Sequence, residues 1–192
     1  MLRVPFTLLL PTLLVLGACE STPRTPYGFD PLPARGLFDR QPADIAVLTV
    51  ENRSGMTAVP TEALRQALYI GLVDRLYSPL ALDYVDRKWT EASVPASGAS
   101  EIAIDAVLQV VVTRWDVTTL QSRGSILASG EALLFPGGGL AGTPLWGVRF
   151  DTRLAGLSPE ELEGDPYEVG AGQLAAEILA QLPVRDPLAA ER

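Results

Sequence analysis

The chain has 192 residues, with 15 basic against 23 acidic side chains, a single cysteine and no histidine. The missing imidazole excludes Ser-His-Asp and Cys-His catalysis, imidazole metal sites and the commonest general base. The lone thiol leaves no disulfide and no thiolate zinc site, and the acidic balance gives no electrostatic footprint for nucleic acid.

Residues 1–18 form the first predicted element. Arg3 is a short positive n-region, and Val4 to Leu16 is an apolar stretch broken only by Pro5, Thr7, Pro11 and Thr12, followed by small Gly17 and Ala18. This is the layout of a secretory signal peptide. The run is too short for a transmembrane helix, which needs about 20 apolar residues. In place of an A-x-A site stands Leu16-Gly17-Ala18-Cys19, which resembles the lipobox of bacterial lipoproteins. The resemblance implies cleavage before Cys19, diacylation of its thiol and acylation of the new amine. One acyl chain binds a membrane only marginally, but each buried methylene adds about 0.8 kcal/mol, so two or three chains hold firmly. Glu20 stands where an Asp would signal inner-membrane retention in enteric-type sorting, so the resemblance favours the outer membrane. Removing residues 1–18 removes Arg3 and leaves 14 basic against 23 acidic residues, net −9. Such a chain does not hug an anionic membrane, so the anchor on Cys19 must hold it.

Residues 19–42 are expected to be the lipidated cysteine and an extended tether, with prolines at 23, 26, 31 and 33. Tyr27, Phe29, Leu32, Leu37 and Phe38 make it more apolar than a linker requires, which leaves open that part of it lies along the domain or along a partner. A single globular domain is expected over residues 43–185, with a tail at 186–192.

Within the domain, Ile45 to Val50 is a β-branched, apolar run and predicts a buried strand, with a turn at Asn52–Gly55. Pro60 and Thr61 open a helix whose apolar face is Leu64, Ala67, Leu68, Gly71, Leu72 and Leu76, stopped by Ser78-Pro79. "LALDYVD" then alternates and predicts a short strand. Residues 87–104 are ambiguous between a loop, a short helix and a lead into the next strand. Ala106 to Val112 is almost wholly apolar and predicts a central strand covered on both faces. "GSILASGEALLF" predicts its antiparallel neighbour. "PLWGVRFDTRL" alternates, with Trp146, Val148, Phe150 and Leu154 on the core face and Arg149, Asp151 and Arg153 opposite. Gly137 to Thr143 joins the two as a long hairpin loop. Leu174, Ile178 and Leu182 mark a closing helix. The fold class is α+β: one mixed, mostly antiparallel sheet of about five strands with two or three helices packed against it, in the order β-α-β-(α)-β-β-β-α.

The strings "IAVLTVENRSG", "DAVLQVVVTRWDV" and "GTPLWGVRF", after a lipobox and a proline-rich segment, resemble a group of small periplasm-facing lipoproteins. Their fold is related to the N-terminal domain of TolB and the core of the curli secretion protein CsgG, and the group includes the penicillin-binding-protein activator LpoB. The resemblance covers residues 43–183. Its motifs carry no catalytic residue, and "FPGGGLAGTPLW" departs from the short polar turn common in relatives.

The expected function is therefore a membrane-anchored, noncatalytic binding or assembly factor in the cell envelope, facing the periplasm, with other envelope proteins as partners. The sequence calls for no cofactor and does not name the oligomeric state. An alternative is a subunit of a CsgG-like secretion complex, which would need strands of roughly ten residues to line a barrel. A second alternative is a carboxylate-dependent hydrolase using the acidic stretch "SPEELEGDPYE", with Glu160 as its test residue. Partner contacts are expected at Tyr27 and Phe29 of the tether and at Leu140 in the glycine-rich loop.

Overall fold

Period-two segments of this chain become one sheet, and the segments with period near 3.6 cover it. The computed structural model describes residues 27–92, 104–158 and 164–186. In chain order these hold β1 (Gly28–Leu32), α1 (Arg35–Arg40), β2 (Asp44–Val47), β3 (Glu51–Asn52), α2 (Thr61–Asp74), β4 (Ser78–Pro79), α3 (Leu82–Ala92), β5 (Ala106–Asp116), α4 (Leu120–Arg123), β6 (Ile126–Pro136), β7 (Trp146–Leu154) and α5 (Pro166–Ala180). The sheet has seven strands in the order β1-β7-β6-β5-β2-β4, with β3 also paired to β5. β4, β2 and β5 run parallel, and β5, β6, β7 and β1 form antiparallel pairs.

The mixed α+β sheet expected from the sequence is present, with more and shorter pieces at its margins. β5 is central and covered on both faces, and Ala106, Val107, Leu108 and Val110 to Val112 are all buried. The face under α2 and α5 holds the main core, including Leu64, Leu68, Leu72, Trp115, Trp146, Leu174 and Ile178. Gly71 lets α2 approach α5, since a Cβ there would stand 2.5 Å from Leu179 Cδ1. The opposite face is covered locally by α3, where Val85 packs with Ala46, Leu48 and Val107. β5 and β6 slip register between Val112 and Arg114. This bulge leaves Thr113 without a partner opposite and turns Trp115 inward, with Arg114 left outside.

Four expectations are corrected. The strand expected at "LALDYVD" is helix α3, because Leu82, Val85 and Trp89 recur at helical spacing, Leu82 packing against the main core and Val85 and Trp89 against the smaller cluster. The tether expected over residues 19–42 is shorter, because Gly28–Leu32 joins the sheet edge against β7 and Arg35–Arg40 is helical. The domain thus includes residues before 43. An edge strand tolerates Pro31 because its free side needs no ladder donor. The strand expected over Ile45 to Val50 stops at Val47 and resumes as β3. Leu76 does not share the apolar face of α2: it is 53% exposed.

Arg65 explains how α2, β2 and α3 are locked together. It is buried, donates from Nε and Nη2 to the Val47 carbonyl at 3.2 and 2.9 Å, and forks onto Asp86 at 3.0 and 2.7 Å. That hydrogen bonding holds the Asp86 carboxyl below its usual range, against a smaller opposing effect of burial. A depressed folded-state pKa stabilises the fold above the unfolded value and is lost as pH falls through the folded one. Asp86→Asn should therefore lower stability near neutral pH. The loss should be about 1 kcal/mol or less, because the carboxylate is half exposed. The gap should begin to close as pH falls below ~3.8, the unfolded value, and should vanish only below the lower folded-state value. Urea titrations from pH 7 downward check this, and a gap as wide at pH 3 as at pH 7 would contradict it.

Candidate functional site

The chain-distant segments meet at one end of the sheet. There β2 and β7 begin, and α2 and α5 end. α1 crosses beneath this end, with Leu37 donating its N–H to the Leu145 carbonyl at 3.1 Å. The segment after α5 closes the other side: the Arg185 N–H reaches the Arg75 carbonyl at 3.1 Å, the Tyr77 hydroxyl donates to the Pro183 carbonyl at 2.9 Å, and Arg75 Nη1 donates to the Leu182 carbonyl. Between them lies an open groove of about 430 Å³, part of it solvent, lined by Leu37, Phe38, Gln41, Tyr77, Val184 and Arg185 among others.

Three independent features converge on this groove. Its floor is buried, with Leu37 and Tyr77 only 4% and 6% exposed, but its rim shows Phe38 at 63% and Val184 at 59%. Leu76, next to Tyr77 in the chain, is 53% exposed. Large apolar groups in one neighbourhood mark an interaction surface on a folded domain.

The second feature is backbone strain. Gln41 (φ 43°) and Leu76 (φ 65°) are the described non-glycine residues with positive φ; Gln41 lines the groove, and Leu76 immediately precedes Tyr77, which does. Leu76 ends α2 in a Schellman turn: its N–H bonds the Val73 carbonyl at 3.0 Å and the Tyr77 N–H bonds the Leu72 carbonyl at 3.1 Å. Glycine is usual there, and a branched side chain costs about 1–2 kcal/mol.

The third feature is polar. Gln41 Oε1 and Arg185 Nε are buried without a hydrogen-bond partner among the described residues. Each such atom costs about 1–3 kcal/mol. Burial also pushes the Tyr77 phenol above its usual pKa, opposed by the charges of Arg75 and Arg185, which keeps its hydroxyl a donor.

The residues expected to make contacts are not brought together. Tyr27 is 41% exposed at the start of β1, with the Arg153 guanidinium 5.2 Å from its ring centroid. Phe29 is half-buried and tilts against Phe150 at 6.3 Å, so it is largely packing. Leu140, 37% exposed, sits in the β6–β7 loop at the groove's end of the sheet. Cys19 and Glu160 lie outside the described residues. Asp165, from the acidic stretch, caps α5 by accepting the Tyr167 N–H at 2.8 Å. Among the described residues no group of three or more carboxylates or thiolates is placed to hold a metal ion, and no helix is long and apolar enough to cross a membrane. Sequence reading missed the groove except for one hint, the excess apolar character of Leu37 and Phe38.

No family model matches the chain, and no curated protein sequence matches it. Among solved structures, a PelC dodecamer from Paraburkholderia phytofirmans superposes with a TM-score of 0.54 at 14% identity, covering 83% of this chain and 99% of that one. A second PelC dodecamer structure from the same organism gives 0.53 at 13% identity, with the same coverage. A lipoprotein from Neisseria meningitidis aligns at 20% identity over 73% of this chain and 98% of its own, with a TM-score of 0.49. At these identities the PelC likeness shows a shared fold.

Proposed function

We propose that this protein is a lipid-anchored, noncatalytic assembly factor of the bacterial cell envelope, and that copies of it associate through the groove between α1, the end of α2 and the segment after α5. The observation that carries the reading is the convergence of exposed apolar side chains, strained backbone and unpartnered polar atoms on that groove. Its lining suits a protein surface: apolar groups supply the contact, and Gln41, Tyr77 and Arg185 supply a few polar fixed points. Supporting it, PelC has the same fold and was solved as a dodecamer. The lipobox at Leu16 to Cys19 supports the anchor, and Glu20 supports the outer membrane, facing the periplasm. The likeness to the TolB, CsgG and LpoB group belongs to the same reading.

Sedimentation of the acylated protein in detergent should show a multi-copy assembly. Phe38→Asp with Val184→Asp should reduce it to monomer without changing the circular dichroism. Leu76→Gly separates the two roles of that position: relief of strain should hold or raise stability by ~1 kcal/mol, while the lost side chain weakens assembly. A parent protein that is monomeric at every concentration would sink the self-assembly reading.

A further inference from the structure

We infer that the outer side of the α2–α5 layer is a second interaction surface, distinct from the groove, and that it takes a helix of a different protein: one with an apolar side flanked by lysine or arginine. The polar side chains of α5 do not face water. Gln173 Nε2 donates to the Ala155 carbonyl at 3.2 Å, and Glu177 accepts from the Thr152 hydroxyl at 2.9 Å, so both lean toward β7 and the residues after it. Gly170, Ala171, Leu174, Ala175, Ile178 and Leu179 are buried. What is left, Gly172, Ala176 and Ala180, repeats every four residues and points outward. Ala176 and Ala180 are exposed, and a Cβ on Gly172 would meet nothing within 4 Å. A surface helix ordinarily turns charged residues outward, and a helix apolar on every side is one that is covered on every side. α2, in contact with α5 at Gly71 and Leu179, follows the same pattern. Leu64, Leu68 and Leu72 point inward, and the outer side carries Ile70 and Val73, 53% and 51% exposed.

Shape favours a helix as the occupant. Ile70 and Val73 make a ridge on α2, and the small residues make a trough on α5. Packed helix axes lie about 8–10 Å apart, so one further helix laid over the trough comes close to α5 and still packs its flank on the ridge. That is the helix-in-groove mode of recognition.

Charge decides which helix. The exposed charges of α2 and α5 are Glu62, Asp74 and Glu168, all negative. Glu62 and Glu168 lie in the first turns and Asp74 ends α2, so the acids rim an uncharged centre, the arrangement of protein interfaces. Neither helix carries a lysine, and Arg65 is buried against Asp86. A second copy would lay acid against acid, and anionic lipid would be repelled in the same way. A helix with basic flanks meets a complementary potential.

The test places a benzophenone amino acid at Ala176 of the full chain in living cells, or at Arg149 on the opposite face of the sheet as control, and sequences the crosslinked peptide. Position 176 should capture a discrete segment of another polypeptide, apolar with Lys or Arg at its flanks, and position 149 should not. Ile70→Asn with Val73→Asn should abolish the adduct. Glu62→Gln, Asp74→Asn and Glu168→Gln together should cut its yield several-fold, with circular dichroism unchanged because all three positions are exposed. Phe38→Asp with Val184→Asp should leave the yield as it was, which separates this surface from the groove. No adduct at 176, an adduct with a second copy or with lipid, a captured segment without basic flanks, or a yield indifferent to the three charge changes each overturns the proposal.

Discussion

Trp146→Ala is expected to unfold the domain or leave it barely stable. The indole is 2% exposed and sits on the core face of β7. Its Nε1–H donates to the Gln181 carbonyl at 3.1 Å, which ties the start of β7 to the end of α5. Truncation removes the largest kind of side chain from a close-packed site and leaves a cavity that the flanking strands cannot close. Such changes cost about 3–5 kcal/mol, against total stabilities of about 5–15 kcal/mol. For a domain of this size the melting temperature should fall by about 10 °C or more. Phe38→Ala, a change of similar type at a 63% exposed position, should move it little. Thermal unfolding of the two variants side by side checks this. A Trp146→Ala protein that melts like its parent would mean the strand does not pack as described.

Phe150, four residues along the same face, shows how tightly that core is built. It lies opposite Gly130 of β6. A Cβ on Gly130 would come 2.1 Å from the Val111 carbonyl oxygen and 2.7 Å from the Phe150 ring. The phenyl group therefore occupies space that only a missing side chain provides, on the strand neighbouring the one that bulges at Thr113.

The middle of the sheet was legible because its signals are long. β5 reads as an almost wholly apolar run over Ala106 to Val112, and β7 alternates from Val148 to Leu154, with burial following both patterns. α3 was misread because Leu80, Leu82 and Tyr84 mimic a period of two over a short window. The helical repeat appears only when Val85 and Trp89 are included, and Tyr84 is 37% exposed. β1 was read as tether because Pro31 and Pro33 argue against a strand. What overrides them is tertiary: Phe150 offers an aromatic partner to Phe29, and the outer side of an edge strand asks for no donor. The groove was illegible for a different reason. Leu37, Tyr77 and Val184 lie on three separate segments, and their meeting depends on α1 crossing under the sheet. The left-handed turns at Gln41 and Leu76 carry no glycine to announce them.

Cys19→Ser is expected to abolish lipid attachment outright, an effect larger than any packing defect. The serine hydroxyl is no substitute for the thiol that receives the diacylglyceryl group, and the Leu-Gly-Ala-Cys pattern loses its modified residue. The energetic difference is large because anchoring is cumulative. At about 0.8 kcal/mol per buried methylene, each acyl chain beyond the first adds on the order of 10 kcal/mol. Nothing else in the described chain replaces that term: no described helix is long enough to span a bilayer, and the net charge of −8 opposes adsorption to anionic lipid. Labelled palmitate should therefore disappear from the Cys19→Ser protein, and the protein should leave the outer-membrane fraction. Its fold should be untouched, because Cys19 precedes β1 by nine residues and β1 is held by its own pairing with β7. Purified without residues 1–18, parent and variant should melt together. Palmitate incorporation and outer-membrane fractionation that survive the substitution would remove Cys19 as the anchor.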